Sequence, residues 1–184
     1  MNVVAFNGSA RKDGNTAILI KEVFMGLSGA GIETELVQLA GKPVRGCTAC
    51  GKCFTAKNRR CVIEGDVINE CIAKMDTADG IILGSPVYFA NVTNEIKALI
   101  GRAGFVAKAN GNMLRRKVGA SVVAVRRAGA IHVFNSLNYF FFISDSSGVL
   151  LLEHWHGPRN RRGLKRLRRN EHHAYPGPEH GLAA

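Results

Sequence analysis

The sequence has no long apolar run. Its heaviest stretches, GIILGSPVYF and LNYFFFIS, fall well short of the about 20 residues a membrane-spanning helix needs. The opening MNVVAFNGS lacks the basic region and extended apolar stretch of a secretory signal. No membrane association and a cytoplasmic location are therefore expected. Neither G-x-G-x-x-G nor G-x-x-x-x-G-K-S/T occurs, which disfavours the dinucleotide fingerprint and the nucleoside-triphosphatase loop. Stacking aromatics are scarce beside the Arg-rich run near the C-terminus, where only Trp155 and Tyr175 stand. A zinc-containing nucleic-acid-binding module is disfavoured on that ground.

What is present suits one globular domain: 184 residues, 46% of them apolar, are enough for a sizeable core. The formal net charge is +11. Residues 1–143 hold 18 Lys and Arg against 10 Asp and Glu, and residues 144–184 hold 7 against 4. The charges of the larger part are scattered, as on a solvated basic surface, and several fall in loops suited to anionic ligands.

Strand and helix patterns alternate along the chain. VVAFNG reads as a buried strand, TAILIKEVFMGLSGAG as a helix with Ile18, Val23 and Leu27 near one face, and ETELVQLA as a second strand. DVINECIAKMDTADG reads as a helix capped by Asp66, with Cys71 a buried core thiol. GIILGS, NEIKALIGRAGF, KVGASVVAVRR and AGAIHVFNSLNYFFF supply strand, helix, strand, helix. This alternation predicts a parallel sheet covered on both faces.

Three loops at the carboxyl ends of these strands are candidate ligand sites. The first, GSARKDGNT, places Ser9, Arg11, Lys12, Asn15 and Thr16 at a helix start, where hydroxyls, amides and positive charge favour a phosphate. A single phosphate, as on FMN, suits such a loop. The second is stiffened by Pro86 and offers the aromatic faces of Tyr88 and Phe89. The third, VRRAGA, carries Arg126 and Arg127. His132 at the following helix start is read as structural.

Four cysteines fall within sixteen residues as C-x2-C-x2-C-x7-C: Cys47, Cys50, Cys53 and Cys61. In a reducing compartment this spacing points to metal or redox work rather than disulfides. Four thiolates suit a 4Fe–4S cluster, and tetrahedral zinc or free thiols remain open alternatives. Lys52, Lys57, Arg59 and Arg60 nearby favour thiolates and a negatively charged cluster.

From GSARKDGNT, the cysteine motif, ADGIILGSPVYFANVTNEIKALIGRAG and RRKVGASVVAVRRAGAIHVFNSLNYFF, the chain resembles the flavodoxin-like NADPH-dependent FMN reductase superfamily. Within it, the chain is most similar to the iron–sulfur flavoprotein group, over residues 1 to about 142. The resemblance implies an α/β flavodoxin-like, doubly wound parallel sheet in the order 2-1-3-4-5, with FMN at its carboxyl edge. It implies that Ser9, Arg11, Lys12, Asn15 and Thr16 hold the FMN phosphate. Pro86, Val87, Tyr88 and Phe89 would line the isoalloxazine, and Arg126 and Gly129 would lie in the third flavin loop. It further implies homodimers or homotetramers, NAD(P)H as co-substrate or a protein donor, and a quinone, small oxidant or protein carrier as acceptor. An electron-transfer flavoprotein without its own substrate is the alternative.

Residues 1–143 thus read as an FMN-binding domain and residues 144–184 as an atypical basic tail. The tail lacks the face of a closing amphipathic helix, which leaves a fifth strand and last helix in doubt, although GVLLLEHW passes for a strand. A one-base shift of plausible codons turns the end into a helix-like sequence, so a frameshift near Ser144 is an expectation of the sequence.

Overall fold

The computed structural model describes residues 1–41 and 43–153, with the backbone alone for 147–153. Ten elements follow in order: β1 (Asn2–Asn7), α1 (Asn15–Gly29), β2 (Glu33–Gln38), α2 (Lys52–Ala56), α3 (Ile68–Thr77), β3 (Gly80–Pro86), α4 (Asn94–Ala109), β4 (Val118–Ala124), α5 (Ala130–Ile143) and β5 (Ser147–Glu153). The five strands form one sheet in the order β2-β1-β3-β4-β5. Every neighbouring pair is parallel.

The expected topology is therefore present, and the fifth strand that the sequence left in doubt exists. β5 pairs with β4 from Val118↔Ser147 onward, with a register shift between Val118 and Gly119. The last helix, the frameshifted reading and the basic tail beyond residue 153 lie outside the described residues.

Side-chain alternation divides the core. Val4, Phe6, Ile81 and Leu83 face α3, α4 and α5, where Ile72, Leu99 and Phe141 complete the larger apolar cluster. Ala5, Ile82, Ala120 and Val122 face the other way and meet Ile20 of α1. Among the described residues α1 alone packs on that second face. Its apolar stripe runs through Ile20, Val23 and Leu27, not through Ile18 as the spacing suggested. Leu19 and Phe24 widen it. Cys71 is buried, as expected, and Asp66 Oδ1 accepts from the Ile68 N–H at the start of α3. Among the described residues no helix is long and apolar enough to cross a membrane.

Candidate functional site

β1, β3 and β4 are adjacent and parallel, so their carboxyl ends deliver three loops to one rim. The first loop is fixed by two amides that the sequence reading passed over. Asn7 Oδ1 accepts from Ser9 N at 3.0 Å, and Asn7 Nδ2 donates to Gln38 Oε1 at 2.7 Å. Gln38 Nε2 in turn donates to the Ser9 carbonyl at 2.7 Å. Ser9 is buried, and its Oγ accepts from Arg11 N. Gly14 stands at the N-cap of α1, where no side chain makes a capping bond and no acid occupies the first turn. The helix's first N–H groups and its positive end are thus presented to an anion. Arg11 and Lys12 are exposed beside them and Asn15 is half-buried. Thr16 is buried, with its methyl against the Gly84 backbone.

The second loop is a tight reversal. Tyr88 and Asn91 exchange both backbone bonds, at 2.9 and 3.1 Å. Phe89 and Ala90 between them hold φ of +46° and +62°. Two positive φ values are the mark of a type I′ turn, which non-glycine residues adopt at a cost of about 1–3 kcal/mol each. Phe89 stands fully exposed at the tip and Tyr88 is 46% exposed. Below them, buried Ser85 donates to the Pro86 carbonyl and accepts from Thr93 N. Val87 is half-buried. The third loop meets the second at Gly129, whose φ is +89°. A Cβ there would lie 2.9 Å from Ala90 Cα and 3.0 Å from Val87 Cγ1. Arg126 is exposed at the same rim. His132 is also exposed, on the first turn of α5.

The cysteine segment follows β2 and lies along α4, with Cys61 at Arg102 and Arg59 N donating to Asn110 Oδ1 at that helix's C-cap. Cys47, Cys50, Cys53 and Cys61 line a single cavity of about 230 Å³, with Arg102 and Phe105 of α4. All four are free thiols, two exposed and two half-buried. One short helix, α2, was not foreseen in this segment. Phe54 on it meets Phe105 edge-to-face at 6.3 Å. Among the described residues no three His, Cys, Asp or Glu groups converge as a single ion would require. The backbone N–H of Lys52 lowers the pKa of Cys50, whereas burial raises that of Cys53.

A buried ion pair closes this segment. The side chains of Arg102 and Asp66 are 0% and 3% exposed and meet at 2.5 Å. Asp66 Oδ2 also accepts from Arg45 N. Arg102 donates to the carbonyls of Arg45 and Ile63, and its Nε to Cys61 Sγ at 3.2 Å. Asn69 grips the same arm, accepting from Cys61 N and donating to the Cys61 and Ile63 carbonyls. Both ends of the cysteine segment are thereby tied to α3 and α4. Arg102 and Asn69 were not singled out from the sequence. The signal was available: a lone cation among Leu99, Ile100, Ala103 and Val106 has to find buried acceptors.

Burial works to raise the pKa of Asp66, but the bonds from Arg102, Arg45 and Ile68 outweigh it and hold the carboxyl below its ordinary 3.8. A depressed folded pKa means stabilisation fully present above the ordinary value and lost as pH falls through the folded one. Acid unfolding should therefore steepen below pH 3.8, and Asp66→Asn should flatten that limb. Circular dichroism of both proteins against pH checks this; parallel limbs would refute it.

The comparisons with known proteins follow the same lines. Residues 1–156 match the NADPH-dependent FMN reductase family. The match passes Ser144 and takes in β5, beyond residue 142 where the resemblance in sequence ends. An iron-sulfur flavoprotein of Methanocaldococcus jannaschii is 39% identical over 145 residues, which are 78% of this chain and 72% of that protein. An iron-sulfur flavoprotein of Methanosarcina thermophila is 33% identical over 155 residues, 80% of this chain and 79% of that one. In fold, the chain is similar to an NAD(P)H:quinone oxidoreductase from Methanothermobacter marburgensis, with a TM-score of 0.65 at 15% identity, over 95% of this chain and 99% of that one. With the interlocked loops at the carboxyl rim, these matches place the chain in the NADPH-dependent FMN reductase family.

Proposed function

We propose that the protein is an FMN-dependent oxidoreductase that passes electrons between NAD(P)H or a protein donor and a quinone, small oxidant or protein carrier. The observation that carries this reading is the rim itself. There an uncapped helix start, a strained aromatic turn and Gly129 come together on adjacent parallel strands. Ser9, Arg11, Lys12, Asn15 and Thr16 would hold the FMN phosphate. Pro86, Val87, Tyr88 and Phe89 would face the ring and keep water from it, and Arg126 and Gly129 would close the third side. When bound, FMN supplies the exchange between hydride and single-electron chemistry. The chain's own groups position it and need move no proton.

Cys47, Cys50, Cys53 and Cys61 would hold a 4Fe–4S cluster in the cavity they line, and the names of the relatives support that assignment. The cluster would exchange electrons with the flavin of the same chain or of a second copy. Assembly as a homodimer or homotetramer is part of the proposal. The full exposure of Phe89 in the single chain supports a ring or a neighbouring copy covering it.

Protein purified without oxygen should show the two visible flavin bands and a broad shoulder that dithionite bleaches. Cys61→Ser should lose the shoulder and keep the flavin bands. Colourless protein that fails to quench titrated FMN would end this reading. Steady-state oxidation of NAD(P)H with a quinone or ferricyanide separates an enzyme from a pure electron carrier, which would show none.

A further inference from the structure

Within the proposed function, and resting on the cluster assigned there, we infer that Arg102 is the positioning residue for the cluster. It fixes the Cys61 sulfur and raises the cluster's reduction potential by donating an N–H to it. Arg102 is fully buried on α4, and its four hydrogen bonds go to the cysteine segment and to the acid that anchors it. Its Nε–H points at Cys61 Sγ from 3.2 Å. Its two terminal nitrogens reach the carbonyls on either side of the segment, at Arg45 and Ile63, and the Asp66 carboxylate.

A guanidinium is a rigid planar fork, so fixing the two ends with the terminal nitrogens also fixes where Nε aims. A lysine ammonium is a point charge and cannot serve the same four acceptors in that geometry. The backbone offers neutral donors to the other sulfurs, such as Ala49 N to Cys47 Sγ at 3.4 Å and Lys52 N to Cys50. A charged donor gives the stronger bond. Hydrogen bonds to cluster sulfurs favour the more negative, reduced state and are among the main determinants of cluster potential. Partners that orient a ligand in this way are worth roughly 10- to 100-fold in retention of the metal group.

The test uses the full chain, reconstituted anaerobically with iron and sulfide, as wild type and as Arg102→Lys. The lysine keeps a positive charge opposite Asp66, so the comparison isolates the lost fork and the lost bond to sulfur. A second variant, Arg102→Met with Asp66→Asn, removes both buried charges together and strands neither. Three quantities are read: FMN per chain, the rate at which a chelator removes iron, and the cluster midpoint potential by electron paramagnetic resonance during redox titration. The expected result is unchanged FMN content, iron released roughly tenfold faster or more, and a midpoint shifted to more negative values in both variants. A merely structural arginine would speed iron loss without moving the midpoint of the cluster that remains. A wild-type midpoint in both variants overturns the inference and leaves the cluster reading standing. Wild-type protein that binds FMN but takes up no iron overturns the cluster reading, and this inference with it.

Discussion

Asp66→Ala is expected to lower the unfolding free energy by about 3–5 kcal/mol, the usual cost of removing one partner from a buried ion pair. The guanidinium of Arg102, with none of its side chain exposed, would be left buried without its counter-charge. Two backbone anchors would go at the same time, at Arg45 N and at Ile68 N, the second of which starts α3. A loss of that size is a large fraction of the stability of a domain of this kind. Urea denaturation followed by far-ultraviolet circular dichroism measures it. A midpoint within experimental error of wild type would show that the pair is not a structural anchor. Among the described residues the proposed flavin loops share no bond with Asp66, so protein that stays folded should still take up FMN.

The second large effect belongs to Gly8. A Cβ there would lie 2.2 Å from Ile96 Cγ1 and 2.7 Å from Thr93 Oγ1. Thr93 Oγ1 caps α4 by accepting from Ile96 N, so neither neighbour can yield without disturbing the helix start. Gly8 N is also held to the Gly84 carbonyl at 2.9 Å, which stops the loop from retreating. Gly8→Ala should cost about 1–3 kcal/mol through overpacking. It should also displace Ser9 from the phosphate position proposed for it. A misplacement worth 1.4 kcal/mol weakens FMN binding about tenfold, and fluorescence quenching of titrated FMN measures it. An unchanged dissociation constant would mean that the loop does not hold the phosphate.

The fold was largely legible because its signals are local. Buried parallel strands read as short apolar runs, and Gly8 and Pro86 mark where β1 and β3 give way to loops. The five-strand order came from the resemblance, and periodicity alone would not have fixed it. The face of α1 was misplaced by a step because the stripe is broad, and Ile18, Leu19 and Ile20 are consecutive apolar residues of which geometry buries one fully. The candidate site divides in the same way. The cysteine spacing and the aromatic loop are visible as strings of residues. The amide relay from Asn7 through Gln38 to Ser9 joins β1, β2 and the loop after β1, and the Arg102–Asp66 pair joins positions 36 apart. Contacts of that kind exist only once the chain has folded, and no single stretch of sequence announces them.

The tie between Arg102 and Asp66 also couples the cysteine segment to the body of the domain. Its bonds to Arg45, Ile63 and Cys61 run from the middle of α4, and Asp66 reaches the start of α3. On the reading proposed above, the seat of the cluster and the packing of two helices would then stand or fall together, and a substitution that loosens one would loosen the other.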